Sequence, residues 1–390
     1  MLKNIIENEN LSQAGEKRIE WYRGQMKIVR SFHERYEKER PFQDMRILVC
    51  MHCEPKAAVR TMALLSGGAR QIVFIGNLGS TKDDTAAYLA QNERIVVMAR
   101  KSDTLDDLNR YVSLALEDGS YDLFMDNGAG IMKQYGNYPG FHPLGGIEET
   151  RSGKLILEEE GIEPDFPLLV IDDSPVKRLI ENETGVGQSV VDGFLRQTSM
   201  LVGGKRILII GYGYCGRGIS QRFHALGAVT SVYDTDYVKM LKARSEGHIT
   251  GRLEDLLKQA EVIITATGRF DVLHGGHLMY LKDGCILANA GHYNMEIDIA
   301  SFADKALSVT GIAEGIDEYY YPDKKIFILQ KGNPLNLSSG AGNPIEIMEL
   351  GYALQLLSLE EIVKNKKLKK GIQGLPERIS QEAARISLGL

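Results

Sequence analysis

Residues 207–234, ILIIGYGYCGRGISQRFHALGAVTSVYD, contain three glycines and an acid whose spacing is typical of one kind of ligand site. Gly211, Gly213 and Gly216 have the G-x-G-x-x-G spacing. The first glycine of such a motif permits a tight turn, the second lets the backbone approach a pyrophosphate, and the third allows close packing of helix on strand. Asp234 stands where a carboxylate accepts both ribose hydroxyls and repels a 2′-phosphate. These residues predict a site for NAD rather than NADP.

The elements that must position this motif are a strand and a helix. Ile207–Ile210 is an apolar run typical of a buried strand, and the pattern that follows the glycines is helical. A helix that begins there directs free N–H groups and the positive end of its dipole toward phosphates. A second apolar run then ends on Asp234. This context makes the glycine spacing far more specific than the triplet alone.

Short apolar runs alternate with helical patterns along most of the chain. Before the glycine motif they are residues 46–52, 72–77, 94–99, 122–127 and 168–173, and after it residues 229–234, 261–268, 284–291 and 305–311. Such alternation predicts parallel sheets with helices on both faces. We therefore expect the α/β class, with two doubly wound Rossmann-like domains separated by a cleft.

The expected domain boundaries follow from these runs. We expect a substrate-binding or catalytic domain over residues 1–183, completed by about 340–365, and an NAD-binding Rossmann domain over residues 184–340. Residues 181–187 are the expected hinge. Residues 341–390 are expected to form a C-terminal helical segment that packs on the first domain, because residues 344–365 have apolar side chains at helical spacing.

Composition excludes several classes of protein. Hydrophobic residues make up 43% and charged residues 25% of the 390, and the net charge is −6, so we expect no nucleic-acid or membrane partner. Cys50, Cys53, Cys215 and Cys285 lie on or beside apolar runs, as reduced thiols of a cytoplasmic protein do. The C-x-x-C pair has no second pair to complete a zinc site, so no metal is expected.

Most of the predicted strands end in a polar or glycine-containing cluster. Ligands of open α/β sheets bind at the carboxyl ends of strands, so these clusters are expected to face one cleft. They are His52, Asp126–Asn127, Asp172–Asp173, residues 265–268 and residues 289–292.

Seven blocks of sequence, in order and with their spacing, resemble those of the S-adenosylhomocysteine hydrolase family. They are MHCEPKAA (51–58), GNLGSTKDD (76–84), GIEETRSGKL (146–155), VIDDSPVKRLIENETGVGQSVVDGFLRQTSMLVGGK (170–205), the glycine motif, TATGRFDVLHGGHLMYLKDGCILANAGHYNMEID (265–298) and NLSSGAGNP (336–344). The resemblance extends from the N-terminal helical region to the final helix.

This resemblance implies a distinctive use of NAD. The cofactor oxidises the 3′-hydroxyl of a nucleoside, a base removes the acidified C4′ proton, and the 5′ substituent is eliminated. Water then adds and the hydride returns to C3′, so NAD is recycled within one turnover. The resemblance also implies a place in one-carbon metabolism and a homo-oligomer, either a dimer or a tetramer. The chain ends at Leu390 without the family's C-terminal arm, so the family's tetrameric exchange of arms is not carried over.

The resemblance assigns roles to individual residues. Lys177 matches the lysine that handles the 3′-hydroxyl proton, and Glu149 matches the glutamate that binds the ribose hydroxyls. His52 and His292 match two histidines that are candidates for general acid work on the leaving group and on water. Further contacts to the cofactor are expected from Thr150, Arg151, Ser152, Asn182, Gly211, Gly213, Tyr214, Cys215, Gly216, Asp234, Thr267, Gly268, Ala290, Gly291 and Asn336.

Several positions depart from the family's pattern. The family's catalytic aspartate falls on Asn127, and an amide cannot accept a proton at neutral pH, so the base is Asp126 or His52 or the elimination step has changed. Glu181 replaces the aspartate that shares the 3′-hydroxyl with the lysine. Asn343 replaces a histidine near the adenine. Arg151 departs from a hydroxyl-rich triplet that reaches the cofactor.

The largest departure is at the base-binding positions. The threonine and glutamate that contact the adenine edge in the family fall on Glu54 and Lys56. A lysine only donates hydrogen bonds, so Lys56 suits a carbonyl-bearing base, a carboxylate or a phosphate. Sites built around hydrogen bonds reject mismatched groups strongly. The pattern therefore disfavours adenine.

Four functions remain open at this point. One is hydrolysis of S-adenosylhomocysteine itself, and another is action on a different nucleoside, including as a dehydratase or lyase. The third is a simple NAD-dependent dehydrogenase, which stoichiometric release of NADH would reveal. The fourth is a catalytically weak, NAD-bound regulatory protein, which Asn127 and Asn343 favour.

Overall fold

The computed structural model describes residues 2–291 and 294–390. The chain divides into two compact units. The first unit consists of the segment up to Arg178 together with Ile345–Leu390, and the second unit is Leu179–Pro344. Within the described residues, no helix is both long and apolar enough to span a membrane.

The first unit begins with alternating strands and helices. Its strands up to Arg178 are β1 (Ile5–Ile6), β2 (Arg46–Met51), β3 (Gln71–Gly76), β4 (Ile95–Ala99), β5 (Leu123–Asp126), β6 (Gly145–Glu148) and β7 (Pro167–Val170). Its helices are α1 (Ser12–Gln25), α2 (Lys27–Glu39), α3 (Pro55–Ser66), α4 (Asp83–Leu89), α5 (Leu105–Glu117), α6 (Met132–Tyr135) and α7 (Arg151–Glu159).

A stretch of wide helical turns of the π type, Val176–Gly185, runs directly into the first helix of the second unit and includes most of the predicted hinge. The strands of the second unit are β8 (Arg206–Ile210), β9 (Val229–Tyr233), β10 (Ile249–Thr250), β11 (Val262–Thr265), β12 (Cys285–Asn289), β13 (Ser308–Ala313), β14 (Ile316–Tyr320) and β15 (Lys325–Leu329). Its helices are α8 (Val186–Thr198), α9 (Tyr214–Ala225), α10 (Tyr237–Ser245), α11 (Leu253–Leu257), α12 (Ile299–Ala303) and α13 (Leu335–Ser338).

The C-terminal segment returns to the first unit. It forms α14 (Ile345–Lys364), β16 (Gly371–Gly374) and α15 (Glu377–Ser387). Helix α14 packs on α2, α3 and β6, and its Glu349 accepts a hydrogen bond of 2.7 Å from the backbone N–H of Ile28 in α2. The helix predicted over residues 344–365 is present.

The sheet of the first unit has eight parallel strands in the order β1-β4-β3-β2-β5-β6-β7-β16. Side chains alternate between its faces, because successive residues of a strand point in opposite directions. In β2, Ile47, Val49 and Met51 pack with α2, α3 and α14, whereas Leu48 and Cys50 pack with α5 and α6. Burial on both faces explains why the central strands are continuous apolar runs.

The sheet of the second unit has the order β10-β9-β8-β11-β12-β15-β14-β13. The first six strands of this order, β10, β9, β8, β11, β12 and β15, are parallel. The pairs β15–β14 and β14–β13 are antiparallel. The prediction of an α/β fold with two doubly wound sheets is confirmed. In both sheets the strand order reverses at one point, between β2 and β5 and between β8 and β11, which is where ligands of such folds bind.

Within the described part of the chain, the strand prediction missed six strands, β1, β6, β10, β14, β15 and β16, and was wrong about the direction of β13. The run 305–311 corresponds to β13, which is antiparallel to β14, because only Glu314 and Gly315 connect them and a parallel pair requires a long crossover. Strands β6 and β16 were missed because their sequences, GGIE and GIQG, contain two glycines each and no apolar run.

Candidate active site

The carboxyl ends of β2, β5 and β6 lie side by side and bring the predicted residues of the first unit together. Cys50 of β2 pairs with Asp126 of β5, which pairs with Glu148 of β6. His52 follows β2, Asn127 follows β5 and Glu149 follows β6. The switch point of the sheet is therefore the candidate site of the first unit.

Two buried carboxylates fix the loops of this site. Asp126 accepts hydrogen bonds from the backbone N–H groups of Asn127, Ile131 and Met132, at 2.9–3.0 Å. Glu148 accepts four hydrogen bonds, from the N–H groups of residues 128, 129 and 150 and from the hydroxyl of residue 150. Burial raises the pKa of both carboxyls, and the charge of Glu148 adds to this effect on Asp126. Asp126 is fully buried, so its carboxylate holds the loop rather than facing a ligand.

Asn127, at the position of the family's aspartate, is also engaged with the protein. The Asn77 side-chain amide donates to the side-chain oxygen of Asn127 at 2.9 Å and to its backbone oxygen at 3.1 Å. Cys50 lies under the same pair, because its thiol donates to the Asn77 side-chain oxygen at 3.4 Å. Asn77, which follows β3, lies in the block of residues 76–84 but was not among the predicted site residues.

Lys177 and Glu149 form a buried ion pair. Nζ of Lys177 donates to Oε1 of Glu149, and both side chains are almost completely buried. The other carboxylate oxygen, Oε2, accepts a hydrogen bond from the side-chain amide of Gln355 on α14. The predicted proton carrier and the predicted ribose ligand are thus in direct contact.

Glu54 and Lys56 form a second buried ion pair at the start of α3, with 3.0 Å between Nζ and Oε2. Glu54 caps the helix by accepting from the N–H groups of Lys56 and Ala57, and the Tyr352 hydroxyl donates to its Oε1 at 2.8 Å. Burial opposes ionisation of Glu54, but the Lys56 ammonium and these hydrogen bonds outweigh it and lower the pKa of the carboxyl. The ammonium also lies over the ring of Tyr22, 5.1 Å from its centroid.

His52 has one ring nitrogen engaged. Its Nδ1 lies 2.7 Å from the Ser80 hydroxyl, which itself donates to the backbone oxygen of Asn77 at 3.2 Å. With the hydroxyl proton directed at Asn77, Ser80 would accept from Nδ1–H, and this tautomer has the lone pair of the ring on Nε2. Burial lowers the pKa of His52, although the carboxylates of Glu54 and Glu149 act in the opposite direction.

The glycine loop of the second unit has the geometry that a dinucleotide requires. Gly211 has a φ of +100°, and a Cβ at Gly216 would lie 1.9 Å from the backbone oxygen of Gly211, so no other residue fits there. A Cβ at Gly213 would meet nothing within 4 Å, which leaves this stretch of backbone open to a ligand. Helix α9 begins at Tyr214, followed by Cys215, and directs its free N–H groups into the same loop.

Asp234 follows β9 and lies beside this loop. Its Oδ2 accepts from the backbone N–H of Tyr212 at 2.7 Å, and its Oδ1 accepts from the N–H of Asp236 at 2.9 Å. Each carboxylate oxygen can accept a further hydrogen bond. The acid is therefore fixed next to the glycine loop with capacity for ribose hydroxyls.

A buried acid that the sequence did not single out shapes the loop after β11. Glu296 accepts from the backbone N–H groups of Thr267 and Gly268 and from the Thr267 hydroxyl, at 2.7–3.1 Å. Burial raises the pKa of its carboxyl. The side chain of Asn289, in β12, accepts from the N–H of Gly291 at 2.7 Å and fixes the turn that includes Ala290.

The remaining predicted residues fall into three groups. Asn336 and Asn343 both contact Ser189 in the second unit, at 3.2 and 2.8 Å, and Glu181 and Asn182 lie in the wide helical turns. Thr150, Arg151 and Ser152 belong to the first unit, where the Thr150 hydroxyl caps α7 by accepting from Gly153 and Arg151 is exposed. His292 lies outside the described residues.

Two family models match the chain, with the descriptions "S-adenosyl-L-homocysteine hydrolase" over residues 3–138 and "S-adenosyl-L-homocysteine hydrolase, NAD binding domain" over residues 182–342. An adenosylhomocysteinase of Aquifex aeolicus is 34% identical over 98% of this chain and 93% of its own length. The chain belongs to the S-adenosyl-L-homocysteine hydrolase family.

Members of this family with two different names are equally similar to the chain. An S-inosyl-L-homocysteine hydrolase of Methanopyrus kandleri is 34% identical over 98% of this chain and 92% of its own length. One of Methanosarcina acetivorans is 34% identical over 97% of this chain and 93% of its own length. The chain is thus an enzyme of the adenosylhomocysteinase type whose second unit is an NAD-binding domain. Overall identity does not distinguish the two substrates.

Three residues of this family member's first unit were not anticipated from its sequence. Tyr352, Gln355 and Arg60 are each no more than 3% exposed, and they join the two ion pairs through α3 and α14. Tyr352 and Gln355 are three residues apart on one helix, a spacing that places them on the same face. The apolar pattern of α14 obscured them, because polar side chains on a buried helix face resemble interruptions of that pattern.

Proposed function

We propose that this enzyme hydrolyses an S-nucleosyl-L-homocysteine whose base has an oxygen at position 6, with S-inosyl-L-homocysteine as the leading substrate. The observation that carries this proposal is the buried pair of Lys56 and Glu54 at the positions that correspond to the family's base-binding residues. Lys56 corresponds to the residue that contacts the exocyclic group at position 6. An ammonium only donates hydrogen bonds, so it requires an acceptor there.

Hypoxanthine and adenine have opposite patterns of hydrogen-bond donors and acceptors at this edge. Hypoxanthine has an acceptor, O6, beside a donor, N1–H, whereas adenine has a donor amino group beside an acceptor nitrogen. Lys56 would turn from Oε2 of Glu54 to donate to O6, and Glu54, whose pKa is lowered, would then accept from N1–H at the position that the ammonium leaves. Adenine would place its amino group against the ammonium and its N1 lone pair against the carboxylate. The relatives named for S-inosyl-L-homocysteine agree with this preference.

The ribose end of the site has the groups that handle the 3′-hydroxyl. Glu149 would accept hydrogen bonds from the ribose hydroxyls. Lys177, in contact with it, would first release a proton to solvent and then, as the neutral amine, take the 3′-hydroxyl proton. Bound NAD supplies the chemistry of hydride transfer from and back to C3′. The glycine loop, Asp234 and the loop fixed by Glu296 are the groups of the second unit that would hold the cofactor.

His52 is the proposed base for the C4′ proton. Asp126 is fully buried behind three backbone N–H groups, and Asn127 is an amide, so neither can act. In the tautomer with its proton on Nδ1, His52 has a lone pair on Nε2, and its lowered pKa keeps the ring neutral near pH 7. After it takes this proton, the imidazolium would return it to the departing homocysteine sulfur. His292 remains a predicted site residue.

We further propose a cytoplasmic homo-oligomer that acts in one-carbon metabolism, on the basis of the family relationship. The size of the oligomer, dimer or tetramer, can be measured directly by light scattering on the purified protein.

The test is turnover of two substrates by the purified, NAD-loaded enzyme. S-inosyl-L-homocysteine should be converted to inosine and homocysteine with a higher kcat/KM than S-adenosyl-L-homocysteine, and NADH should not accumulate beyond the enzyme concentration. Lys177→Met should retain NAD and form no NADH on mixing with substrate. Faster turnover of the adenosyl compound would overturn the base assignment. Stoichiometric NADH release would indicate a dehydrogenase, and binding of either compound without turnover would indicate a regulatory protein.

A further inference from the structure

Arg60 is a completely buried arginine with no carboxylate in hydrogen-bond contact among the described residues. Its Nη1 donates to the side-chain oxygen of Gln355 at 2.9 Å and lies 3.1–3.2 Å from the sulfur atoms of Met51 and Met125. The guanidinium is 5.6 Å from the ring centroid of Tyr352. Its Nε has no hydrogen-bond partner within the described part of the chain.

Such an environment is costly for a cation, and burial lowers the pKa of Arg60. Replacement of a buried charge by an apolar side chain of similar volume is often neutral or stabilising. The stability of the fold therefore does not by itself account for a charge at this position. A buried charge that stability does not explain is a candidate for a role in the site.

The geometry around Gln355 indicates that role. Its side-chain amide is held at both ends, because Oε1 accepts from Arg60 and Nε2 donates to Oε2 of Glu149. A guanidinium only donates and a carboxylate only accepts, so both partners select the same orientation of the amide. Gln355 is 1% exposed, so an amide oxygen that lost Arg60 would have no water to replace it.

We propose that Arg60 is a positioning residue that acts through Gln355 to fix the Glu149 carboxylate against the ribose hydroxyls of the substrate. This inference rests on the proposed function. Lys177 holds the other oxygen of Glu149, but it must turn to the 3′-hydroxyl when it takes the proton. Gln355 and Arg60 keep the carboxylate in place while Lys177 does so.

The test measures recognition of the hydroxyls and not of the base. Calorimetry gives the Kd of inosine and of 2′,3′-dideoxyinosine for the NAD-loaded wild type, Arg60→Met and Gln355→Leu. The ratio of the Kd of 2′,3′-dideoxyinosine to the Kd of inosine reports the contribution of the hydroxyls. It should fall about tenfold in both variants, the factor that corresponds to about 1.4 kcal/mol, while the affinity for the dideoxynucleoside stays unchanged. The double variant should equal either single variant.

Two controls define specificity. Arg60→Lys keeps a buried donor and should recover part of the ratio, a rescue that a role in packing alone would not give. Arg46 lies at the other end of β2, where it pairs with Asp118, and Arg46→Met should leave the ratio at the wild-type value. If Arg60→Met fails to fold, Gln355→Leu interrupts the same connection from its other end.

The outcomes separate this inference from the proposed function. An unchanged ratio in Arg60→Met and Gln355→Leu, or an equal loss for both ligands, overturns the role of Arg60. The same pair of measurements with adenosine and 2′,3′-dideoxyadenosine covers the case in which the base assignment is wrong, because the hydroxyl ratio does not depend on the base. If the wild type binds each nucleoside and its dideoxy analogue with equal Kd in both series, the role of Glu149 is overturned and, with it, that of Arg60.

Discussion

The preference of this enzyme for one nucleobase should reverse when Glu54 and Lys56, at the start of α3, are both replaced. In the double variant Glu54→Thr/Lys56→Glu, the exocyclic position faces a carboxylate, which accepts from an amino group. Threonine remains a favourable N-cap, so α3 should still begin at the same residue. Exchange of both residues avoids a pair of buried carboxylates, which Lys56→Glu alone would create.

The magnitude follows from burial. The Lys56 and Glu54 side chains are only 4% and 12% exposed, so a mismatched base would leave donors facing each other without water. A hydrogen bond to a charged group contributes about 1.5–3 kcal/mol. We therefore expect the wild type to bind inosine about 10- to 150-fold more tightly than adenosine. In the double variant the sign of the preference should change.

The assay is calorimetry with adenosine and inosine on both proteins loaded with NAD. Lys56→Gln is the matched control, because its amide presents either a donor or an acceptor by rotation and should bind both nucleosides within a few-fold. Circular dichroism and a denaturant midpoint confirm that the variants fold. If the wild type already prefers adenosine, or if the double variant keeps the wild-type preference, the ion pair does not determine the base.

Three further predictions concern pH and the cofactor. Burial lowers the pKa of His52, so titration of this residue should leave kcat/KM constant above about pH 6.5 and reduce it as the pH drops through the lowered pKa. An acid limb of the pH profile centred above that pH would exclude His52 as the base. Asp234→Ala should purify with substantially less NAD than the wild type, as measured by absorbance after denaturation, and equal occupancy would contradict a role for this acid in binding ribose. Glu296→Gln would place an amide NH₂ against an N–H donor of the loop after β11. It should lower the free energy of unfolding of the second unit, measured by urea denaturation, by about 1–3 kcal/mol and weaken NAD binding. A variant with wild-type stability and NAD occupancy would show that the loop is fixed by other contacts.

The sequence determined the fold class and the presence of an NAD-binding domain because both depend on local patterns. Strands buried on both faces of a parallel sheet must be apolar runs, and β2, β3, β5, β8 and β12 were recognisable for that reason. The glycine loop was equally evident, because the positive φ at Gly211 and the lack of room for a Cβ at Gly216 both require glycine. Strands β6 and β16 escaped detection because two of the four residues in each are glycine and little apolar pattern remains.

The roles of the polar residues in the first unit were decided by contacts between segments distant in the sequence. Asp126 was a candidate base from its position, but the loop folds back so that three N–H groups occupy its carboxylate. Arg60, Tyr352 and Gln355 had no signal at all, because α3 and α14 are almost 300 residues apart and meet only in the folded first unit. A sequence motif records which groups are present, whereas the hydrogen bonds that occupy them exist only once helices and strands are packed.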